Sequence, residues 1–241
     1  MYIGRLHPEK NPIRVVKQFE YFHKQFNSDA KLLLMGNGEM KDQIEEIIIE
    51  LKLTDYIRVI PYMDNPFPYI RNAAALVLSS RHEGLPNVIL EAMQLECLVI
   101  AVDCLSGPRE LLNDWNDYEM HCAPIVLGKR GIIVSNSDDE DREKSHFMAE
   151  AMRIAIVDDE YVKTIKYNQR AYMNHYNNDL LASKWIDLIE RKCEGKEYCN
   201  KDIISEKSTG RAHNIFLKSP FYVAGIFFCA SNYFKVRFKR E

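Results

Sequence analysis

The chain has 241 residues, with 32 Lys+Arg against 35 Asp+Glu and a net charge of −3 at pH 7. A hydrophobic fraction of 46% beside 28% charged residues is ordinary for a globular protein, so wholesale disorder, collagen-like repeats and a polytopic membrane protein are excluded. The slightly acidic balance argues against a nucleic-acid partner, and the length suits one doubly wound domain with a short appendix. Six cysteines at 97, 104, 122, 193, 199 and 229 form no CxxC pair. Met1-Tyr2-Ile3-Gly4-Arg5 leads into charge rather than into a signal peptide. Reduced thiols and a cytoplasmic setting are the expectation.

Tyr2-Ile3-Gly4 reads as the last part of a strand, which places the start of the chain at or just inside a domain boundary. The first helix follows. Asn11 suits its cap, Pro12 its first position, and Val16, Phe19, Phe22 and Phe26 form one stripe. Ala30–Met35 predicts a strand, then a helix after Gly36-Asn37-Gly38 running to about Leu53. Ile57–Ile60 and Ala75–Ser79 are further strands, and Val88–Leu95 is helical. Val99–Val102 precedes a short helix after Ser106-Gly107-Pro108, and Gly131–Val134 is the last strand. Continuous apolar runs between helices indicate parallel strands buried on both faces, with right-handed crossovers. Phe147–Val157 and Leu180–Ile189 are amphipathic helices, and Ser135–Lys144 is an acidic exposed loop. The fold class expected is therefore α/β: a Rossmann-like domain over 1–194, with a polar linker and an aromatic, basic tail over 195–241.

Two strand ends carry the residues suited to chemistry. In Arg81-His82-Glu83-Gly84-Leu85-Pro86-Asn87-Val88-Ile89-Leu90-Glu91, a buried strand ends and a helix begins. Ligands of open α/β sheets bind outside the carboxyl ends of strands, and free amides at a helix start attract phosphate. Asn87 suits the cap, and Glu83 in the loop and Glu91 in the helix could flank one ligand, with the turn's amides between them. The competing reading is an ordinary capped helix with two solvated glutamates. In Gly4-Arg5-Leu6-His7-Pro8-Glu9-Lys10-Asn11, two cations stand beside a helix start, an arrangement suited to a diphosphate. The alternative there is a solvated loop. Gly36-Asn37-Gly38 lacks the rest of GxGxxG and reads as a tight turn, and Ser106-Gly107-Pro108-Arg109-Glu110 as a helix cap. No metal-ligand spacing occurs, so no metal and no cofactor are expected.

Together these segments resemble the group 1 glycosyltransferases, the retaining family 4 with the GT-B fold. Glu83 and Glu91 lie in the E-x7-E spacing of EGLPNVILEAM, and GRLHPEKN resembles the family's GR-x-x-x-x-K opening of its second domain. LLLMGNGEMKDQIEEII, RVIPYMDN and SGPREL follow in the family's order, so the match spans about 2–112 and, loosely, to 190. The resemblance implies the C-terminal, donor-binding half of a GT-B enzyme. It implies that Arg5, Lys10, Asn87 and Val88 contact the diphosphate of a nucleotide-sugar. Glu83, the catalytic residue, would face the donor sugar with Gly84, Leu85 and Pro86. Glu91 would hold the ribose, and Pro61 and Tyr62 would line the base. The acceptor would be a saccharide or a lipid-linked oligosaccharide of the cell envelope, and an N-terminal domain, as a separate chain, would supply its site. Three readings stay open: a transferase completed by that domain, a non-catalytic nucleotide-sugar-binding module, and a GT-B sugar-nucleotide epimerase.

Two points stand outside the resemblance. The segment Asn113–Arg130 is longer than the family's pattern. In the tail, Phe216, Phe221, Tyr222, Phe227, Phe228, Tyr233 and Phe234 accompany Lys235, Arg237, Lys239 and Arg240. Aromatics beside cations suit the surface of an anionic membrane at its inner face, and packing on the core or on the absent domain is the alternative. The sixteen uncharged residues 219–234 are too few to span a bilayer.

Overall fold

The computed structural model describes residues 1–26, 29–104, 106–114, 123–135 and 146–174. The helix expected at 180–189, the acidic loop beyond Ser135 and the tail at 195–241 lie outside the described residues. By its contacts the chain divides into a compact unit, Met1–Arg170, and a second unit, Ala171–Glu241.

The first unit alternates strands and helices. Strand β1 (Tyr2–Ile3) leads through a 3-10 turn (Pro8–Lys10) to α1 (Pro12–Phe26). Then come β2 (Leu32–Met35), α2 (Lys41–Glu50), β3 (Ile57–Ile60), α3 (Phe67–Asn72) and β4 (Ala75–Leu78). The second half holds α4 (Asn87–Gln94), β5 (Leu98–Val102), α5 (Pro108–Asn113), β6 (Ile125–Leu127), β7 (Ile132–Val134), α6 (Phe147–Val157) and α7 (Asp159–Met173). Strands β1, β2 and β3 pair in parallel, as do β4, β5 and β7. Met1 joins the two sets, since its nitrogen donates to Ala75 O at 2.6 Å and its oxygen accepts from Val77 N at 2.8 Å. The resulting order β3-β2-β1-β4-β5-β7-β6 is doubly wound.

The apolar strands form because both faces are covered. Leu98, Ile100 and Val102 join a core with Val16, Phe19, Phe22 and Met148. Val99 and Ala101, which alternate with them and face the other way, are equally buried. The predicted stripe of α1 is the face that meets this core, with Phe26 packed at its margin. Helix α6 has the bounds expected from sequence, and Gln18 of α1 is buried against it, its side-chain oxygen accepting from Ala149 N at 3.2 Å.

Three elements escape the sequence pattern for physical reasons. Helix α3 has six residues, too few to display a period. Helix α7 buries Ile165 and Gln169, a stripe too thin and too polar to stand out. Strand β6 is partly exposed and pairs antiparallel with β7, an exception to the parallel expectation. That hairpin occupies the end of the long Asn113–Arg130 segment. It is pinned by Tyr161, whose hydroxyl lies 3.1 Å from both Gly128 O and Gly131 O. Among the described residues, no helix is long and apolar enough to cross a membrane.

Candidate functional site at the strand-order reversal

Between β1 and β4 the winding of the sheet reverses, so the loops after these two strands open a crevice at their carboxyl ends. Both motif segments singled out from sequence are those loops, Gly4–Asn11 and Ser79–Pro86. The first is held from below. Leu6 N donates to Asn37 O at 2.9 Å, and Met40 N donates to Leu6 O at 3.1 Å. A Cβ on Gly36 would stand 1.9 Å from Gly4 O, so the close approach of these two loops requires glycine. The Gly36–Gly38 turn is therefore a support for the first loop, in keeping with its reading as a tight turn.

The two loops are bonded to each other. Arg81 N donates to Glu9 O at 2.9 Å. The Ser79 hydroxyl lies 2.7 Å from Lys10 O and 2.8 Å from Asn11 O. Asn11 adopts the left-handed conformation, φ 46°, and closes the 3-10 turn that presents Lys10. Lys10 Nζ then donates to Glu83 Oε1 at 2.6 Å, with side-chain exposures of 25% and 11%. The pair is shielded enough to hold its geometry and open enough to meet a ligand. Ser80, 4% exposed, donates its hydroxyl to the same carboxylate oxygen at 2.6 Å. Ser106, from the loop after β5, donates to Glu83 O at 2.6 Å. Glu83 is thus fixed by side chain and by main chain, from three loops.

The remaining predicted residues are placed less tightly. Arg5 stands at the rim, its side chain 70% exposed and 3.9 Å from Glu9. Tyr62 is half-exposed. Partial burial pushes its phenol above the ordinary value, and the charges of Glu91 and Asp64 push it further. That coupling puts the expected base-lining residue within electrostatic reach of the expected ribose-binding residue. Pro61 is exposed beside Tyr62, and Gly84, Leu85 and Pro86 form the turn into α4.

One helix cap differs from expectation and one falls within the expected segment. Asn87 is the first residue of α4 rather than its cap. Pro86 holds the cap position and makes no side-chain capping bond. The Asn87 Oδ1 atom is buried without a hydrogen-bond partner, a polar atom left at the mouth of the helix. At α5 the cap is Gly107, whose φ of 76° and ψ of −86° suit glycine. Ser106 is then free of capping and reaches Glu83 instead. Glu110 takes the other half of the cap, receiving a hydrogen bond from the Gly107 backbone, while burial raises its carboxyl.

Sequence reasoning missed Ser80 and Asp103, and it read Ser106 and Arg109 only as parts of a helix start. Arg109 Nε and Nη2 donate to the two carboxylate oxygens of Asp103 at 2.9 and 2.7 Å. Cys104 lies beneath the site with its Sγ 3.2 Å from Ser80 O. Burial, then the charges of Glu83 and Asp103, push its thiol up to about 12. It stays a thiol at neutral pH and contributes packing.

The profile of the family described as Glycosyl transferases group 1 matches residues 1–171. An uncharacterized glycosyltransferase of Methanocaldococcus jannaschii is 28% identical over 197 residues, 78% of this chain and 48% of that protein. The amylovoran biosynthesis glycosyltransferase AmsD of Erwinia amylovora is 27% identical over 189 residues, 78% of this chain and 46% of that protein. The poly(glycerol-phosphate) alpha-glucosyltransferase of Bacillus subtilis is 30% identical over 200 residues, 83% of this chain and 27% of that protein. The chain thus spans about half, or less, of the length of these relatives. Among solved structures, Anabaena HepE in complex with UDP superposes with a TM-score of 0.62 at 18% identity, covering 78% of this chain and 47% of that one. The pneumococcal O-GlcNAc transferase GtfA in complex with UDP and GlcNAc superposes with a TM-score of 0.63 at 19% identity, covering 79% and 35%.

Proposed function

The chain belongs to the group 1 glycosyl transferases, and we propose that it is the donor-binding half of a retaining GT-B hexosyltransferase acting on a cell-envelope saccharide or lipid-linked acceptor. The observation that carries this reading is the direct bond between Lys10 and Glu83 at the strand-order reversal, 2.6 Å long and beside the start of α4. It brings a cation fit for a diphosphate and a carboxylate fit for a sugar into one crevice. Two solved structures of the same fold hold UDP, which supports a nucleotide as the ligand.

In this reading Lys10 and Arg5 take the diphosphate from one side, and the amides of Asn87 and Val88 from the other. Charge grows on the diphosphate as its bond to the anomeric carbon lengthens. A preset cation and a helix start stabilise that charge more than the ground state, which lowers the barrier. Glu83 sits where a sugar attached to that diphosphate would lie, with Gly84, Leu85 and Pro86, and its carboxylate opposes the positive charge of an oxocarbenium-like centre. Glu91 takes the ribose hydroxyls, and Pro61 and Tyr62 line the base. The acceptor hydroxyl would be presented by the part of the relatives that this chain does not span. The same partial coverage favours, as second reading, a module that binds the nucleotide-sugar without transfer.

Isothermal titration with UDP, GDP, ADP and the matching nucleosides tests the site. The isolated chain is expected to bind one diphosphate weakly and to transfer nothing. Arg5→Ala and Lys10→Ala should each weaken that diphosphate by about 1.5–3 kcal/mol and leave the nucleoside alone, as loss of a charged hydrogen bond requires. Equal losses for UDP and uridine would mean that neither cation meets the phosphates.

The carboxylates should separate by kinetics in a two-domain enzyme built with an N-terminal half. Glu91→Ala is expected to raise the donor KM chiefly, because ribose contacts are the same in ground and transition states. Glu83→Ala is expected to lower kcat chiefly. The opposite split would exchange their roles.

A further inference from the structure

We propose that Lys10 is shared between two anions, and that Ser80 is the positioning residue that keeps Glu83 in place when Lys10 leaves it. Lys10 Nζ lies 2.6 Å from Glu83 Oε1, so the cation that a diphosphate needs has a carboxylate partner. Donor binding then exchanges one charged partner for another. The exchange draws Nζ toward the phosphates and leaves Glu83 Oε1 without its cation. A carboxylate of 11% exposure stripped of its partner is costly unless another donor serves it. Ser80 is that donor. It is 4% exposed, bonds the same oxygen at 2.6 Å, and lies two residues beyond the buried strand β4, at the anchored start of the loop that carries Glu83. Ser106, bonded to Glu83 O at 2.6 Å, holds the main chain meanwhile. The carboxylate therefore stays aimed at the sugar while its charge is freed to act on it.

This inference rests on the donor-binding reading above and makes a prediction of unusual sign. Removing the charge of Glu83 should improve binding of a nucleotide that carries no sugar. Glu83→Gln keeps the shape and releases Lys10, so UDP should bind about three- to ten-fold tighter. In a Lys10→Met background the same substitution should gain nothing. Ser80→Ala leaves Glu83 dependent on Lys10, so UDP should bind a few-fold weaker. Combined with Glu83→Gln, Ser80→Ala should have no effect, a result that a merely structural role of the serine would not give. The experiment is UDP titration of the six forms, with melting temperatures taken alongside. A gain from Glu83→Gln that persists with Lys10→Met overturns the sharing, since it would be long-range repulsion. An effect of Ser80→Ala that persists with Glu83→Gln overturns the positioning role. If the native chain binds no nucleoside diphosphate, the donor-binding reading falls as well. If it binds and Glu83→Gln gains nothing, the sharing alone falls.

Discussion

Arg109→Leu is expected to destabilise the domain by about 3–5 kcal/mol, measured by urea unfolding under circular dichroism. Arg109 is fully buried, and its fork meets both oxygens of Asp103. The leucine would fill much of the space but leave the Asp103 carboxylate, itself 8% exposed, without its cation. The loss follows from that stranded charge rather than from the net worth of the pair. Replacing both partners, with Asp103→Asn added to Arg109→Leu, should therefore recover a large part of the stability. A single substitution costing under 1 kcal/mol, or a double one costing more than the single, would contradict this account. The effect should reach the crevice too. Asp103 N is bonded to Val134 O at 2.7 Å, so the pair fixes the loop after β5, which carries Ser106 to Glu83.

That pair also marks where sequence reading stops. The strands were legible because burial on both faces gives unbroken apolar runs, and Ile57–Ile60 is recovered residue for residue. The two crevice loops were legible because a strand end running into a helix start is a local pattern. What joins the loops is not local. Lys10 and Glu83 are 73 positions apart, and Ser106 and Glu83 are 23 apart. Nothing in the spacing of Ser80 separates it from Ser79, yet one hydroxyl faces Glu83 and the other faces Lys10 O and Asn11 O. Arg109 reads as one more charge in a short helix, because its partner lies six positions before it, outside the helix. Asn87 reads as a cap because residue preference favours it there, but Pro86 takes that place. A signal for Ser80 did exist, since a hydroxyl at the carboxyl end of a central strand points at the crevice by topology alone.

Gly107→Ala should lower stability by at least about 2 kcal/mol and abolish measurable nucleotide binding. At φ 76° and ψ −86° an alanine is strained whatever surrounds it. Its Cβ would also stand 2.1 Å from Gly84 O and 2.8 Å from Pro86 Cδ. Neither neighbour is a flexible side-chain end. One is backbone of the turn that follows Glu83, and the other is the ring that starts α4. The turn must move, and with it go the Ser106 bond to Glu83 O and the placement of the α4 amides. Gly84→Ala supplies the contrast. A Cβ there meets nothing within 4 Å, so thermal stability should be almost unchanged. If the donor sugar fills that open space, Gly84→Ala should weaken a UDP-sugar while leaving UDP alone. Thermal melts with titrations of UDP and UDP-glucose distinguish the two substitutions. Equal losses for both ligands in Gly84→Ala would place the sugar elsewhere, and a Gly107→Ala protein of native stability would mean that the loop after β5 yields without cost.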